Sequence, residues 1–483
     1  MKDQDLKHQM NLIPKSLFEN FGFSNLTEIQ KKASPIILQK KDCLVIAPTG
    51  SLTIEIRHGD TTQKDRKKIT ENPPDVLITT PETLVILLTQ AKYLDALSDL
   101  EWIVVDEVHE LLSSERGTQL SLSIERLEFN SKFPLTKIGL SATVGNFEEA
   151  GKFVVGTKRK CEIIRDTSVR KYDVEIKYVD GTISDVAEKI IEHVSELDLD
   201  SPILLFTNTR GESEFLASIL KDKSTIPIEL HHGSLSKEVR EETEQNLREG
   251  KRGIVVCTSS LELGLDIGSV ELVIHYGSPR QVSKLVQRIG RSRHNRNASA
   301  KGLRIQEGSI EEQKIHDGSL DVLAHHLVGL AIQIGEISID KAFDLITRAY
   351  PFRNLKLEEL VDILDLLDSN YLIFFDRTKM TFWKKGRSFK YYFENLSTIP
   401  DILKFKVFDS VGKKIIGSLD QRFVGDYGDS GNIFVLKGSQ WRILNVDEKS
   451  FTVNVEPFRG GGITVPYWEG ENIPIDYKTA RKV

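Results

Sequence analysis

An apolar run that ends in two carboxylates constrains this 483-residue chain more than any other stretch. Residues 102–105 are uniformly apolar, as expected for a parallel strand buried on both faces, and Asp106-Glu107-Val108-His109 follows directly. Open α/β sheets bind their ligands at the carboxyl ends of their strands. In nucleotide hydrolases the first such carboxylate holds Mg²⁺ and the second positions the attacking water. The alternative for so short a motif is a strand that ends in a solvated acidic turn.

The composition is that of an ordinary globular protein, with 39% hydrophobic and 28% charged residues. This length is enough for roughly three to four domains. A formal net charge of −6 argues against a wholly basic nucleic-acid coat, but a local basic groove is compatible with it. Cys43, Cys161 and Cys257 are too far apart for a CxxC pair, so neither zinc nor a disulfide framework is indicated. With no signal-like N-terminus and no uncharged apolar run near ~18 residues, we expect a cytoplasmic protein without membrane contact.

Two successive parts of the chain alternate strand-like and helix-like segments, which is typical of parallel α/β sheets. The first part, residues 1–168, has strand-like runs at 43–47, 52–57, 76–79, 102–105 and 136–140. The second part, residues 169–335, has them at 203–206, 226–230, 253–257 and 272–275. Within it, Ser236 is a candidate N-cap of a helix that stops near Gly250.

The pattern changes after about residue 335. Residues 336–403 carry two amphipathic helices and then two short strand-like runs, an order that resembles a winged-helix domain. Residues 404–483 carry short apolar runs between Gly, Asp and Ser turns, which predicts a small β-barrel or sandwich. The predicted fold class is therefore α/β, with two parallel-sheet domains followed by a winged helix and a small β-rich domain.

Polar segments follow several predicted strands of the first part. Thr49-Gly50-Ser51 comes after the strand at 43–47 and looks like the front of a phosphate loop. Ser141-Ala142-Thr143 follows the strand at 136–140, where a plain hydroxyl turn is the alternative. Upstream, the amide of Gln30 could pair with adenine N6 and N7, although a solvated glutamine at a helix start is the commoner case.

Similar segments follow strands of the second part. Residues 207–210, TNTR, end one strand, and residues 258–268, TSSLELGLDIG, follow another. Hydroxyl and backbone N–H groups in such loops can hold phosphates. Residues 287–294, QRIGRSRH, space arginines almost regularly, and arginine is the side chain that stabilises a transferring phosphoryl group. A solvated basic face is the alternative for this last run.

In this order the segments APTGS (47–51), DEVH, SAT (141–143), TNTR, TSSLELGLDIG and QRIGR resemble the motifs of superfamily 2 helicases. RHGDT (57–61), ITTPETL (78–84), LDVLAHHLVG (320–329) and FVLKGSQWR (434–442) further resemble the large helicase-related (Lhr) family. The likeness runs nearly end to end and implies two RecA-like domains, a winged helix and a β-rich domain. Family members are ATP-dependent helicases that move 3′ to 5′ on nucleic acid. They usually extend further at the C-terminus, so we expect a short or truncated member.

The resemblance assigns roles to individual residues. In the first domain, Gln30 would read adenine, Asp106 would bind Mg²⁺ and Glu107 would orient the water. The phosphate contacts would be Thr49, Gly50 and Ser51, and the residues that couple nucleotide state to strand separation would be His109, Ser141 and Thr143.

In the second domain, Gly264 and Asp266 would meet the nucleotide, with Arg288 and Arg291 as phosphate-sensing arginines. Thr80, Thr209 and Thr258 would contact the nucleic-acid backbone. The implied cofactors are ATP and Mg²⁺, and the implied partner is a single strand or partial duplex of DNA or RNA.

The phosphate loop departs from the family pattern. Ser51 is followed directly by the strand-like Leu52-Thr53-Ile54, with no Gly-Lys-Ser/Thr and no helix to face phosphate. Two parallel strands also need a crossover of roughly a dozen residues or more, which residues 48–51 cannot provide. Either the two strands are not parallel neighbours, or a segment is absent after Ser51. A weaker shortening occurs around residues 301–310, and Arg293 stands where the family usually has glycine.

Residues 383–392, WKKGRSFKYY, mix cations with aromatic side chains, which suits stacking on bases and neutralisation of phosphates. Lys384 and Arg387 are the candidate contacts, and the alternative is an aromatic wing packed on its own domain.

The family resemblance implies an ATP-driven helicase or translocase in DNA repair or RNA processing. The alternative, if the segment after Ser51 is truly absent, is a nucleic-acid-binding or scaffold protein with a helicase fold and no hydrolysis. A metabolic P-loop kinase would explain neither the QRIGR segment nor the second sheet.

Overall fold

The structure, a computed structural model, describes residues 53–142, 144–165, 175–197, 199–262, 270–291, 314–396, 403–460 and 464–468, and the backbone of residues 172–173 and 300–301. The chain divides into two compact units, Met1–Ser168 with Glu312–Pro400 and Val169–Glu311 with Asp401–Val483. Within the described ranges, no helix is long and apolar enough to cross a membrane.

The first unit begins with an α/β arrangement, as the sequence predicted. Its described elements are β1 (Ile54–Arg57), α1 (Gln63–Glu71), β2 (Val76–Thr79), α2 (Pro81–Leu87), α3 (Ala91–Ser98), β3 (Trp102–Val105), α4 (Val108–Leu111), α5 (Glu115–Asn130), β4 (Thr136–Gly139) and α6 (Phe147–Val155). β1 pairs with β2, and β3 with β4, both in parallel. Buried apolar residues of β3, α5 and α6 form the core of this part, among them Val105, Ile124 and Phe153.

The two faces of the β1–β2 pair differ. On one side Leu77 packs against a buried cluster of Ile69, Leu87 and Tyr93. On the other side Ile54, Ile56, Val76 and Ile78 are between 43% and 59% exposed. Because β1 and β2 pair Ile54 with Val76 and Ile56 with Ile78, these four side chains share one face. Parallel sheets are normally covered on both faces. The apolar side chains of this face are those expected of a face that packs against another element.

The second unit begins with another parallel sheet. Its elements are β5 (Tyr172–Asp173), α7 (Ile183–Leu197), β6 (Ile203–Phe206), α8 (Arg210–Lys223), β7 (Ile228–His231), α9 (Lys237–Arg248), β8 (Ile254–Cys257), β9 (Leu272–His275), α10 (Val282–Ile289) and β10 (Ala300–Lys301). The sheet order is β7-β8-β6-β9, all parallel. β6 and β8 are buried along their whole length, which explains their uninterrupted apolar sequences.

The first unit continues with a winged helix that begins before the predicted start at residue 336, because α11 (Leu320–Ile334), which the sequence placed in the second part, packs into its core. Its other elements are β11 (Ile337–Ser338), α12 (Ile339–Arg348), α13 (Leu357–Ser369), β12 (Ile373–Asp376), β13 (Thr381–Lys384) and α14 (Ser388–Glu394). Its three strands pair antiparallel in the order β11-β13-β12. Its core includes Val85 of α2 and Leu122 of α5, so it packs onto the first α/β part. The fully buried Arg126 of α5 joins this contact by donating to Gln333 and to the Tyr392 hydroxyl.

The second unit ends in a β-rich part that contains β14 (Lys404–Asp409), β15 (Lys414–Asp420), α15 (Gln421–Tyr427), β16 (Ile433–Leu436), β17 (Ser439–Asp447) and β18 (Thr452–Pro457). These strands form one five-stranded sheet in the order β15-β14-β18-β17-β16, in which only the β14–β18 pair is parallel. Its buried residues, such as Val407 and Phe434, belong to one cluster with Leu216 and Leu230 of the parallel-sheet part. The β-rich part and the second parallel sheet therefore share a hydrophobic core.

Candidate functional site

The two carboxylates of the DEVH segment lie at the carboxyl end of β3. Asp106 is exposed, and its Oδ1 accepts a hydrogen bond of 2.8 Å from the backbone N–H of Glu107. Glu107 precedes α4 in a left-handed conformation, with φ of 49°, which costs a non-glycine residue about 1 kcal/mol or more. The Val108 amide then donates to the Leu140 carbonyl at the end of β4. The turn is thereby fixed at the edge of the sheet where ligands bind.

His109 connects these carboxylates to the segment after β4. Its ring is buried, and Nδ1 lies 2.9 Å from the Ser141 hydroxyl and 3.5 Å from the Glu107 carboxylate. Nε2 lies 3.5 Å from the carboxylate of Glu110. Burial lowers the pKa of His109, while the charges of Glu107 and Asp106 oppose that shift. The structure thus brings together Asp106, Glu107, His109 and Ser141.

The chemistry of these donors fits a magnesium ion that is shared with a phosphate. In the described portion of the chain, no group of three or more His, Cys, Asp or Glu residues could hold a metal by itself. Magnesium commonly takes one or two protein carboxylates and completes its shell with phosphate oxygens and water. Asp106 offers such a carboxylate. The other predicted nucleotide contacts of the first domain, Gln30, Thr49, Gly50 and Ser51, fall outside the described residues, and so does Thr143.

Thr80 begins α2 directly after β2. Its hydroxyl accepts a hydrogen bond from the Thr83 amide, and Pro81 occupies the first turn, where a missing N–H costs nothing. Because β2 is parallel to β1, Thr80 lies at the carboxyl edge of that strand pair. The start of α2 is only partly exposed at Thr80 and Pro81, and Thr83 is buried.

The carboxyl edge of the second sheet carries the other predicted nucleic-acid contacts. Thr209 follows β6 and caps α8 through a capping box with Glu212. Thr258 follows β8, is nearly buried, and its amide donates to the His231 carbonyl at the end of β7. Since β6, β7 and β8 are parallel neighbours, the structure brings Thr209 and Thr258 to one edge. Gly264 and Asp266 lie outside the described residues.

The position of Arg288 departs from the expectation of a phosphate-sensing side chain. Its guanidinium is fully buried and bonds to the Glu262 carboxylate and to Nε2 of His275, 5.2 Å from the Phe206 ring centre. Burial, and secondly the charge of Arg288, lower the pKa of His275 to about 3, so the ring stays neutral and accepts. A buried and paired guanidinium does not fit contact with a nucleotide. It fits a structural residue that holds the segment after β8 in place through its bond to Glu262.

Arg291 lies one turn further and is partly exposed. Its Nε donates to the Glu262 carbonyl at 2.8 Å. Both arginines of the QRIGR segment therefore bond to Glu262, one to its side chain and one to its backbone. Sequence reasoning missed Glu262 and His275, although a charged residue within TSSLELG and a histidine at the end of an apolar strand were visible signals.

The winged-helix ribbon carries the remaining candidates. Lys384 is exposed at the end of β13 with Nζ 5.3 Å from the Phe389 ring centre, and the exposed Arg387 directly precedes α14. On the outer face Phe374 stacks on Trp383, with ring centres 5.4 Å apart. Tyr392, by contrast, is fully buried in the core. The WKKGRSFKYY segment thus divides into an exposed basic and aromatic part and a packed part.

Three family models match the chain. Residues 52–150 match the DEAD/DEAH box helicase family, and residues 185–295 match the helicase conserved C-terminal domain. Residues 303–461 match the winged helix domain of the large helicase-related protein.

Curated relatives are similar over most of this chain. The ATP-dependent helicase Lhr-Core of Methanothermobacter thermautotrophicus is 36% identical over 468 residues, covering 88% of this chain and 53% of the relative. The protein of that name from Methanocaldococcus jannaschii is 35% identical over 460 residues, covering 89% of this chain and 53% of the relative. The chain thus spans about half the length of these relatives.

Solved structures share the fold. The structure of Mycobacterium smegmatis helicase Lhr bound to ssDNA and AMP-PNP superimposes with a TM-score of 0.66 at 31% identity, covering 78% of this chain and 52% of that chain. The DUF1998 helicase MrfA bound to DNA gives 0.67 at 21% identity, over 89% of this chain and 63% of that chain. The second likeness concerns the fold alone.

Proposed function

Because this chain belongs to the Lhr family of superfamily 2 helicases, we propose that it is an ATP-dependent helicase or translocase that acts on nucleic acid. The expected direction is 3′ to 5′, and the expected setting is cytoplasmic DNA repair or RNA processing. The proposed partner is a single strand or partial duplex, consistent with the ssDNA in the Lhr structure from M. smegmatis. The observation that carries the proposal is the turn after β3, where Asp106 and Glu107 reach the carboxyl edge and His109 joins them to Ser141.

In the proposed reaction each residue of the turn after β3 has a separate role. Asp106 would hold Mg²⁺, which supplies charge stabilisation at the β- and γ-phosphates of ATP. Glu107, about one third exposed, would orient the attacking water and accept its proton. His109 contacts both Glu107 and Ser141, so a movement of the carboxylate is transmitted to the segment after β4.

In this proposal the second unit would supply contacts to the nucleic-acid backbone and an arginine that senses the phosphates of ATP. Thr209 and Thr258 lie on the carboxyl edge of the second sheet, where hydroxyl groups and helix starts can hold a phosphate backbone. Arg291 is the proposed phosphate-sensing arginine. Arg288 would act through Glu262, which bonds to both arginines, and would set the position of Arg291 without touching the nucleotide.

The proposal requires a phosphate loop that the sequence contains only in part. No lysine follows Gly50, and four residues cannot connect two parallel strands. We therefore infer that the working protein carries a further segment between Ser51 and Leu52, which sequencing the gene across these codons tests.

A second candidate function follows if the gene reads directly from Ser51 to Leu52. Without the lysine that reaches the β- and γ-phosphates, the chain would bind nucleic acid with a helicase fold and hydrolyse ATP near the background rate. Robust hydrolysis that is stimulated by nucleic acid, in a chain with this direct junction, would eliminate this candidate.

The experiment that tests the proposed site compares substitutions of two glutamates that flank β3. Glu107→Gln keeps the shape of the side chain but cannot take a proton, so we expect ATP turnover to fall by about 100-fold or more, with single-strand binding unchanged. Glu101→Gln, at the exposed amino end of β3, is the matched control and should leave turnover unchanged. Unchanged turnover in Glu107→Gln would remove the proposed role of Glu107.

A further inference from the structure

Glu214 is a fully buried carboxylate of α8 whose hydrogen-bond partners come from two parts of the second unit. The backbone N–H groups of Lys437 and Gly438 donate to it at 2.8 and 2.6 Å. Nε2 of His232 lies 2.8 Å from Oε1. Because Nδ1 of His232 accepts from the Ser234 amide, Nε2 carries the proton and donates to Glu214. A buried charge is tolerated when it is paired in this way.

The two backbone donors belong to the tight turn between β16 and β17. Lys437 and Gly438 both have positive φ, 57° and 60°, as in the two-residue turn that suits a twisted hairpin. The turn fits closely against the parallel-sheet part. A Cβ on Gly438 would come within 2.9 Å of the Leu230 and Lys221 side chains, and the Lys221 ammonium also donates to the Lys437 carbonyl. The β16–β17 turn therefore packs tightly against the parallel-sheet part, and Glu214 accepts the two backbone amides of the turn at the bottom of this contact.

The same β-rich part holds the loop after β7, residues 232–236. The Ser418 amide donates to the Ser234 carbonyl at 2.8 Å, and the Ser236 amide donates to the Ile416 carbonyl at 3.1 Å. Gly417 makes this approach possible, because a Cβ there would lie 2.6 Å from the Ser234 carbonyl oxygen. The loop is thus fixed by β15 through its backbone and by Glu214 through His232.

This loop lies on the carboxyl edge that carries Thr209 and Thr258. The Ser234 hydroxyl accepts from Nη1 of Arg210 at 2.8 Å, and Arg210 is the first residue of α8 after the Thr209 cap. A continuous series of hydrogen bonds therefore runs from the β16–β17 turn through Glu214, His232 and Ser234 to the start of α8. Buried networks of this kind couple their members more strongly than isolated bonds do.

We propose that Glu214 is a positioning residue through which the β-rich part sets the conformation of the 232–236 loop, and thereby the grip of the second unit on a nucleic-acid strand. The β-rich part is then a component of the second motor domain, because it holds one of the loops on the edge that binds the strand. The statement about grip rests on the proposed function. The statement about the loop stands on the contacts alone.

The test combines hydrogen exchange with strand binding on the full chain. In Glu214→Gln an amide N–H replaces one acceptor oxygen and faces a backbone donor. We expect faster exchange of the Lys437, Gly438, Ser236 and Ser418 amides, and affinity for a fluorescein-labelled oligothymidylate lower on the order of tenfold. Asp222→Asn, on the exposed side of α8, is the matched control and should change neither readout.

A second variant approaches the contact from the β-rich part. Gly438→Ala places a methyl group against Leu230 and Lys221 in a left-handed conformation, so we expect it to lift the turn and reproduce both effects. The double variant should lose little more than either single one, since both break the same contact.

Faster exchange in the turn with unchanged exchange in the 232–236 loop would overturn the positioning role. Altered loop exchange with unaltered oligothymidylate affinity would leave the role of Glu214 in positioning the loop and overturn the claim that the loop sets the grip on the strand. If the unsubstituted chain binds no oligothymidylate, the partner in the proposed function fails, while the exchange data still decide the role of Glu214.

Discussion

His325 should make the first unit sensitive to acid. Its ring is buried on α11, stacks on Tyr392 with ring centres 4.2 Å apart, and donates from Nε2 to the Tyr392 carbonyl. Burial, with a smaller contribution from the charge of Arg126, lowers the pKa of His325 to about 4. A lowered histidine pKa means that the unfolded chain takes up the proton first. The contribution of neutral, buried His325 to the free energy of unfolding is therefore fully present above about pH 6.5 and is lost as the pH falls towards 4.

The size of the effect follows from the gap between the two pKa values. At about pH 5, roughly 1.5 units below the ordinary pKa of 6.5, the histidine is protonated in the unfolded chain, while folded His325 remains neutral. The free energy of unfolding at pH 5 is therefore lower than at pH 7.5 by about 2 kcal/mol, since each pH unit in this range contributes about 1.4 kcal/mol. The pKa of the fully buried His326 is lowered in the same direction, so it adds to the loss.

The assay is urea denaturation at pH 7.5 and pH 5, followed through hydrogen exchange of α11 peptides. In His325→Gln the new amide side chain can still donate to Tyr392 but does not titrate, so the pH-dependent loss should shrink by about 2 kcal/mol. His58→Gln, at a partly exposed position of the same unit, should retain the full loss. Equal pH dependence in His325→Gln and the unsubstituted protein would show that His325 is not the group responsible.

Two further predictions concern the second unit and the wing. Arg288→Gln removes the guanidinium that bonds to the buried Glu262 carboxylate, leaving only the Lys284 ammonium at 4.0 Å, and should lower the free energy of unfolding by about 3–5 kcal/mol, whereas Arg291→Gln should affect thermal unfolding little and ATP turnover strongly. Equal thermal destabilisation by both variants would contradict these separate roles. Lys384→Ala combined with Arg387→Ala should weaken single-strand binding and reduce the salt dependence, the slope of log K against log[salt], by about two. An unchanged slope in fluorescence anisotropy titrations would exclude phosphate contact by the wing.

Local signals in the sequence predicted much of the fold. Ser236 caps α9 as expected, because a hydroxyl before a helix can accept from the third amide. The run at 203–206 forms the buried β6, since a strand covered on both faces needs an uninterrupted apolar sequence. The placement of Asp106 and Glu107 also followed from position alone, because a residue after a parallel strand reaches the ligand-binding edge.

Contacts between distant residues could not be predicted in this way. Arg288 looked like a phosphate ligand because its partners Glu262 and His275 are 26 and 13 positions away, and the motif does not indicate which way the guanidinium turns. The attachment of the winged helix through Arg126 and Tyr392 spans 266 positions. Such pairings depend on tertiary packing, which periodicity and spacing do not encode.

Separation of a partial duplex is the decisive measurement for an ATP-driven motor. The protein expressed from its native gene would be mixed with a duplex that has a 3′ single-stranded tail, and release of the labelled strand would be followed with and without ATP. We predict release that requires ATP and is lost in Glu107→Gln. No release with ATP, or equal release without it, would contradict an ATP-driven motor.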